Sequence, residues 1–139
     1  MRSALILLAA TTAGFAPAIA AAPVKMTIML AGAAEVPGPG ADKGTGEATL
    51  TFDADKGQVC YMLMSKGTDT PTMAHIHKGA AGVAGGVVVP LAPPTNGMSE
   101  GCAPLAADVL SAILATPSDY YVNIHTALFP KGALRGQLK

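Results

Sequence analysis

His75-Ile76-His77 sets two imidazoles two positions apart, and His125 is the third and last histidine of the chain. Residues i and i+2 of an extended strand share a face, with Cβ atoms roughly 6.5–7 Å apart at ~3.3 Å of rise per residue. Two imidazoles at that spacing can converge on one ion, each at ~2.0–2.1 Å if the metal is zinc. His125 completes a three-histidine set if its strand neighbours the first. Such a set suits Cu(II) or Zn(II), and the Irving–Williams order favours copper. Met73 shares the face of His75 and His77, where a thioether would favour Cu(I). The competing reading is structural: His75 and His77 occupy the outer face of a half-buried strand, Ala74 and Ile76 point inward, and the histidines form a hydrogen-bonding cluster.

Glu35 and Arg135, near opposite ends of the chain, form a second candidate pair. A buried Arg–carboxylate pair would clamp the first loop to the last strand through bidentate hydrogen bonds, and binding of an anion is the alternative. Whether Arg135 shares a face with His125 depends on the register of the last hairpin, which a single bulge reverses. Cys60 and Cys102 are the only cysteines. In an oxidising compartment an even count reads as one disulfide; two metal-ligating thiolates are the alternative, without CxxC spacing or an adjacent His to support it. Met62 and Met64 share a strand face with Cys60 and read as core filler.

Other chemistry finds no support. Ser65, Ser99, Ser111 and Ser118 lack a nucleophile-elbow context. Asp53 and Asp55 sit in a turn, where they do not form the paired carboxylates of glycoside hydrolysis. The glycine-rich stretch Gly79 to Gly86 follows a strand without opening a helix, so it is no phosphate cradle. Basic and acidic residues balance at nine each with no cluster of either sign, which excludes the cationic stripe that nucleic-acid binding needs.

The elements that must position these residues are short. Sixteen Gly and eleven Pro in 139 residues favour turns over long helices, and one domain fits the length. Arg2, the apolar run Ala4 to Ala10 and the small residues of Ala18-Ile19-Ala20 read as a secretory signal peptide over residues 1–20. Thr11, Thr12, Gly14 and Pro17 interrupt the run that a membrane anchor would need. Cleavage after Ala20 would leave a domain of residues 21–139 without a membrane span.

Extended patterning then predicts strands at Val24–Leu30, Gly46–Phe52, Gln58–Ser65, Met73–His77, Met98–Ala103, Tyr120–Thr126 and Ala133–Leu138, and the unbroken β-branched run Val87–Val89 predicts another. Val87-Val88-Val89 reads as buried on both faces. Leu105, Val109, Leu110, Ile113 and Leu114 recur at helical spacing between Pro104 and Pro117, predicting a helix of about three turns. The expected fold is an all-β Greek-key, immunoglobulin-like sandwich of seven to eight short strands with one short helix near 105–115.

Four blocks occur in order: Ala31-Gly32-Ala33-Ala34-Glu35-Val36-Pro37, Ala74-His75-Ile76-His77-Lys78-Gly79-Ala80-Ala81-Gly82, Tyr121-Val122-Asn123-Ile124-His125-Thr126 and Leu134-Arg135-Gly136-Gln137-Leu138. They resemble the signature blocks of the CHRD (chordin-type) domain, and the run Val87 to Leu91 fits the same pattern. The resemblance spans about Thr27 to Lys139; many members have Gln where this chain has Ala34. It implies an extracellular or periplasmic β module, its partner there unknown, with no assigned reaction. The His-x-His strand is also similar to that of secreted copper/zinc superoxide dismutases, with His75, His77 and His125 at matching positions. The bridging His and zinc-binding set of those enzymes have no counterpart. Two expectations follow: a non-enzymatic binding or structural module, or a small copper or zinc protein using the three histidines.

Overall fold

The computed structural model describes residues 20–139; the expected signal peptide lies outside the described residues but for Ala20. Eight strands form in order: β1 (Val24–Ala31), β2 (Thr45–Asp53), β3 (Gln58–Lys66), β4 (Pro71–Lys78), β5 (Val87–Leu91), β6 (Met98–Pro104), β7 (Tyr120–Thr126) and β8 (Leu134–Gln137), with helix α1 (Ala107–Ala115) between β6 and β7. The helix is the one expected from the Leu/Ile spacing, and each strand matches a predicted segment within a residue or two. All ladders are antiparallel.

The strands make one sheet in the order β5-β4-β7-β8-β1-β2-β3-β6, where two stacked sheets were expected. The halves β5-β4-β7-β8 and β1-β2-β3-β6, which a sandwich would hold apart, are stitched together where β8 pairs with β1 at Ala31–Arg135. At the other side the edges of β5 and β6 nearly meet. The Tyr61 hydroxyl accepts from Ala92 N at 2.9 Å, and Ser99 Oγ donates to the Ala92 carbonyl at 2.7 Å, bridging the seam. The result is barrel-like.

Inside are Ile28, Leu30, Ala48, Leu50, Phe52, Val59, Leu63, Ala74, Ile76, Val122, Ile124 and Leu134, all essentially without solvent contact. These are the inward positions of the alternating strands, and aliphatic burial drives the closure. Leu110 and Ile113 of α1 join this core. Cys60 and Cys102 face each other across β3 and β6 and form a disulfide.

Two expectations need correction. The Val87–Val89 run is not buried on both faces: β5 is an edge strand, with Val87 exposed and Val89 buried, because only β4 pairs with it. Met62 and Met64 are not core filler but face outward, while Val59 and Leu63 take the inside. Both faces of β3 are apolar in sequence, so alternation alone could not tell them apart.

Candidate metal centre

The histidines lie on the outer face of β4 and β7, as their alternation with Ala74, Ile76 and Ile124 requires. The registers place His75 opposite Asn123, His77 opposite Tyr121, and Met73 opposite His125. On the far side of β7, Asn123 faces Arg135 and Tyr121 faces Gln137. Ladder partners share a face, so β4, β7 and β8 carry one polar layer, and Arg135 lies on the same face as His125.

An outer face would ordinarily be wet; here loops cover it. His77, Tyr121, Asn123, His125 and Arg135 are buried. The 79–86 loop is held down from below. Arg135 donates to the Val83 carbonyl (Nη1, 3.0 Å) and the Ala80 carbonyl (Nη2, 2.9 Å), and Gln137 Nε2 donates to the Gly79 carbonyl at 2.7 Å. Gly85 N donates to the Tyr121 hydroxyl at 3.1 Å. The loop lies so close that a Cβ on Gly85 would sit 1.6 Å from the Lys78 carbonyl oxygen, so no side chain fits there. β4 and β8 flank β7, and the Tyr121 ring correspondingly stacks on His77 (centroids 4.8 Å apart, 6° between planes) and carries the Arg135 guanidinium at 3.5 Å.

The imidazoles are oriented by backbone carbonyls. His77 Nδ1 lies 3.0 Å from the Gly85 carbonyl oxygen, and His125 Nδ1 3.1 Å from that of Pro130. A carbonyl only accepts, so both Nδ1 atoms carry the proton and both Nε2 atoms are left with a free lone pair. His75 Nδ1 approaches His125 Nε2 at 3.2 Å, and His77 Nε2 is buried with no hydrogen-bond partner. Potential ligand atoms of all three histidines lie within 4.8 Å of one another. Two ligands at ~2.0–2.1 Å from a tetrahedral zinc ion stand ~3.3 Å apart, close to the His75–His125 separation. Donation of the second ring nitrogen to a carbonyl is the usual arrangement behind a metal-bound histidine.

Burial holds all three imidazoles below the ordinary histidine pKa, that of His75 down to about 4, with the neighbouring His125 and His77 adding to the effect. The neutral imidazole is the form that ligates a metal.

Glu35 and Arg135 do not form the expected ion pair: among the described residues no direct salt bridge joins them. Glu35 instead accepts a hydrogen bond from Asn123 Nδ2, which also donates to the Leu134 carbonyl at 2.9 Å. Arg135 is occupied by the 79–86 loop and by Gln137 Oε1. Burial raises the Glu35 carboxyl to about 7, against the Asn123 bond and the Arg135 charge. Sequence reasoning missed Tyr121, Asn123 and Gln137 as positioning residues. The available signal was their i, i+2 spacing with His125 and Arg135, which puts them on the same faces.

The family model for the CHRD domain matches residues 26–138. No curated protein and no solved structure matches the chain.

Proposed function

The chain belongs to the CHRD domain family, and on that premise we propose that it is an exported, non-catalytic module that holds one copper or zinc ion through His75, His77 and His125. The observation that carries this reading is the gathering of one ring nitrogen from each of the three histidines within 4.8 Å of one another, beside a buried His77 Nε2 that has no hydrogen-bond partner. Leaving a buried acceptor unpaired costs about 1–3 kcal/mol, and a metal ligand removes that cost. His77 and His125 would ligate through Nε2, and His75 through Nδ1 after moving its proton to the solvent-side nitrogen. The Irving–Williams order favours copper over zinc for such a nitrogen set. Export is supported by the leader-like residues 1–20 and by the disulfide, which persists in oxidising compartments; CHRD domains belong to extracellular proteins.

A second reading, a binding or structural module without metal, draws on the same layer. His77, His125, Arg135 and Gln137 fasten the 79–86 loop and the turn at Pro130, a structural role that needs no metal.

Titration of the purified protein with Cu(II), followed by electron paramagnetic resonance and calorimetry, separates the two. One tightly bound equivalent with nitrogen hyperfine structure, lost in a His75→Ala/His77→Ala variant, is expected. Absence of stoichiometric binding of Cu(II) and of Zn(II) to the unaltered protein would return the histidines to the structural role. Mass spectrometry of the protein recovered outside the cytoplasm should find a chain starting near Ala21; recovery only as the full-length cytoplasmic chain would sink the export claim.

A further inference from the structure

Five of the six methionines among the described residues stand in solvent: Met29 (68% exposed), Met62 (40%), Met64 (39%), Met73 (45%) and Met98 (56%), leaving Met26 to pack against the core. Methionine ordinarily fills cores, and here Leu, Ile and Val fill it instead. Four of the five share the outer face of the half-sheet β1-β2-β3-β6, on the far side of the strand order from His75 and His77. Register sets them in order. Met64 is directly opposite Met98 on β6, Glu47 lies between Met64 and Met29, and Met62 is opposite Glu100.

Directly opposed residues have Cβ atoms ~4.5–5.5 Å apart, and diagonal or i, i+2 neighbours ~7 Å. Met62 and Met64, two positions apart on β3, and Met98, opposite Met64 and diagonal to Met62, are therefore close neighbours on flexible three-bond stems, able to bring three sulfurs onto one ion. Met29 and Met64 also line an open groove of ≈ 540 Å³ with Glu47. Thioethers select soft monovalent metal, and two carboxylates set among them favour a cation. The same carboxylates would be desolvated under an apolar partner.

We propose that Met62, Met64 and Met98 form a thioether site for a soft monovalent ion, Cu(I) in the oxidising exterior, separate from the histidine centre. Three sulfur ligands leave Cu(I) trigonal, with Glu47 and Glu100 supplying charge nearby. Binding transfers no electrons and displaces no proton, since thioethers do not titrate.

Redox-inert Ag(I) is the probe. The protein is labelled with ¹³C at the methionine methyls, titrated with Ag(I) and compared with a Met62→Leu/Met64→Leu/Met98→Leu variant. Leucine keeps the apolar bulk and removes the sulfur, and the exposed positions tolerate it. The methyls of Met62, Met64 and Met98 should shift together and saturate at one equivalent while Met26 stays still, and the variant should bind at least roughly tenfold more weakly. Undisturbed methyls at those three positions, or a folded variant that binds equally well, would overturn the proposal. The variant retains all three histidines, so its Cu(II) binding reports on the other centre independently.

Discussion

Glu35 is a carboxyl kept from water and held by an amide, with the Arg135 charge acting on it. Its pKa is raised to about 7 from an ordinary 4.5, so the folded chain binds its proton more tightly than the unfolded chain. The stability it contributes is therefore complete below about pH 4.5 and is lost as the pH rises through 7. The three histidines, with pKa depressed by partial or full burial, act in the opposite sense and lose stability as the pH falls below 6.5. Comparison with Glu35→Gln isolates the carboxyl: urea midpoints of the two proteins should diverge between pH 5 and pH 8, the variant gaining relative to the parent as the pH rises. A constant offset would mean that Glu35 is not protonated in the folded state. Arg135 offers a second test. Its fork reaches two loop carbonyls while its plane covers Tyr121, a combination that lysine cannot reproduce. Arg135→Lys should lower stability by about 2–3 kcal/mol in urea unfolding, and a loss below ~0.5 kcal/mol would contradict the clamp.

At the scale of the elements, β8 shows how little room the core has. A Cβ on Gly136 would stand 2.4 Å from the Met29 carbonyl oxygen and 2.6 Å from side-chain carbons of Ile28 and Leu30. Gly136→Ala should destabilise the protein by ~1–3 kcal/mol through overpacking, read as a lower thermal midpoint. Most of the strands were legible because β2, β4 and β7 alternate between apolar and polar partners, and α1 because Leu110 and Ile113 keep helical spacing. The closure of the sheet was not legible. The ladders β4–β7 and β3–β6 join segments far apart in the chain, and local alternation says which face a residue takes but not which strand lies beside it. The histidine pair on β4 was visible as a motif, whereas its meeting with His125 needed that same long-range register. Met62 and Met64 were misread because Cys60, Met62 and Met64 look as apolar as Val59, Tyr61 and Leu63.

For the whole molecule, the disulfide closes a loop of 42 residues between directly opposed strands. Constraint of the unfolded chain by such a loop is worth ~4 kcal/mol, so Cys60→Ala/Cys102→Ala should unfold at markedly lower urea while its circular dichroism stays that of a β protein. An unchanged midpoint would show that the bridge restrains nothing that the β3–β6 ladder does not already hold.

The pairing of β8 with β1 bears on how the chain can be rewired. The Ala31–Arg135 pair sets the last strand of the fold, β8, alongside the first, β1. A fold whose first and last strands are hydrogen-bonded neighbours tolerates a change in where its covalent path begins. A circular permutant that joins Lys139 to Ala21 through a short glycine linker and reopens at the exposed turn of residues 95–97 should assemble the same barrel. The β5–β6 seam, crossed among the described residues by side-chain bonds to Ala92 near that turn, is where the molecule can best be cut.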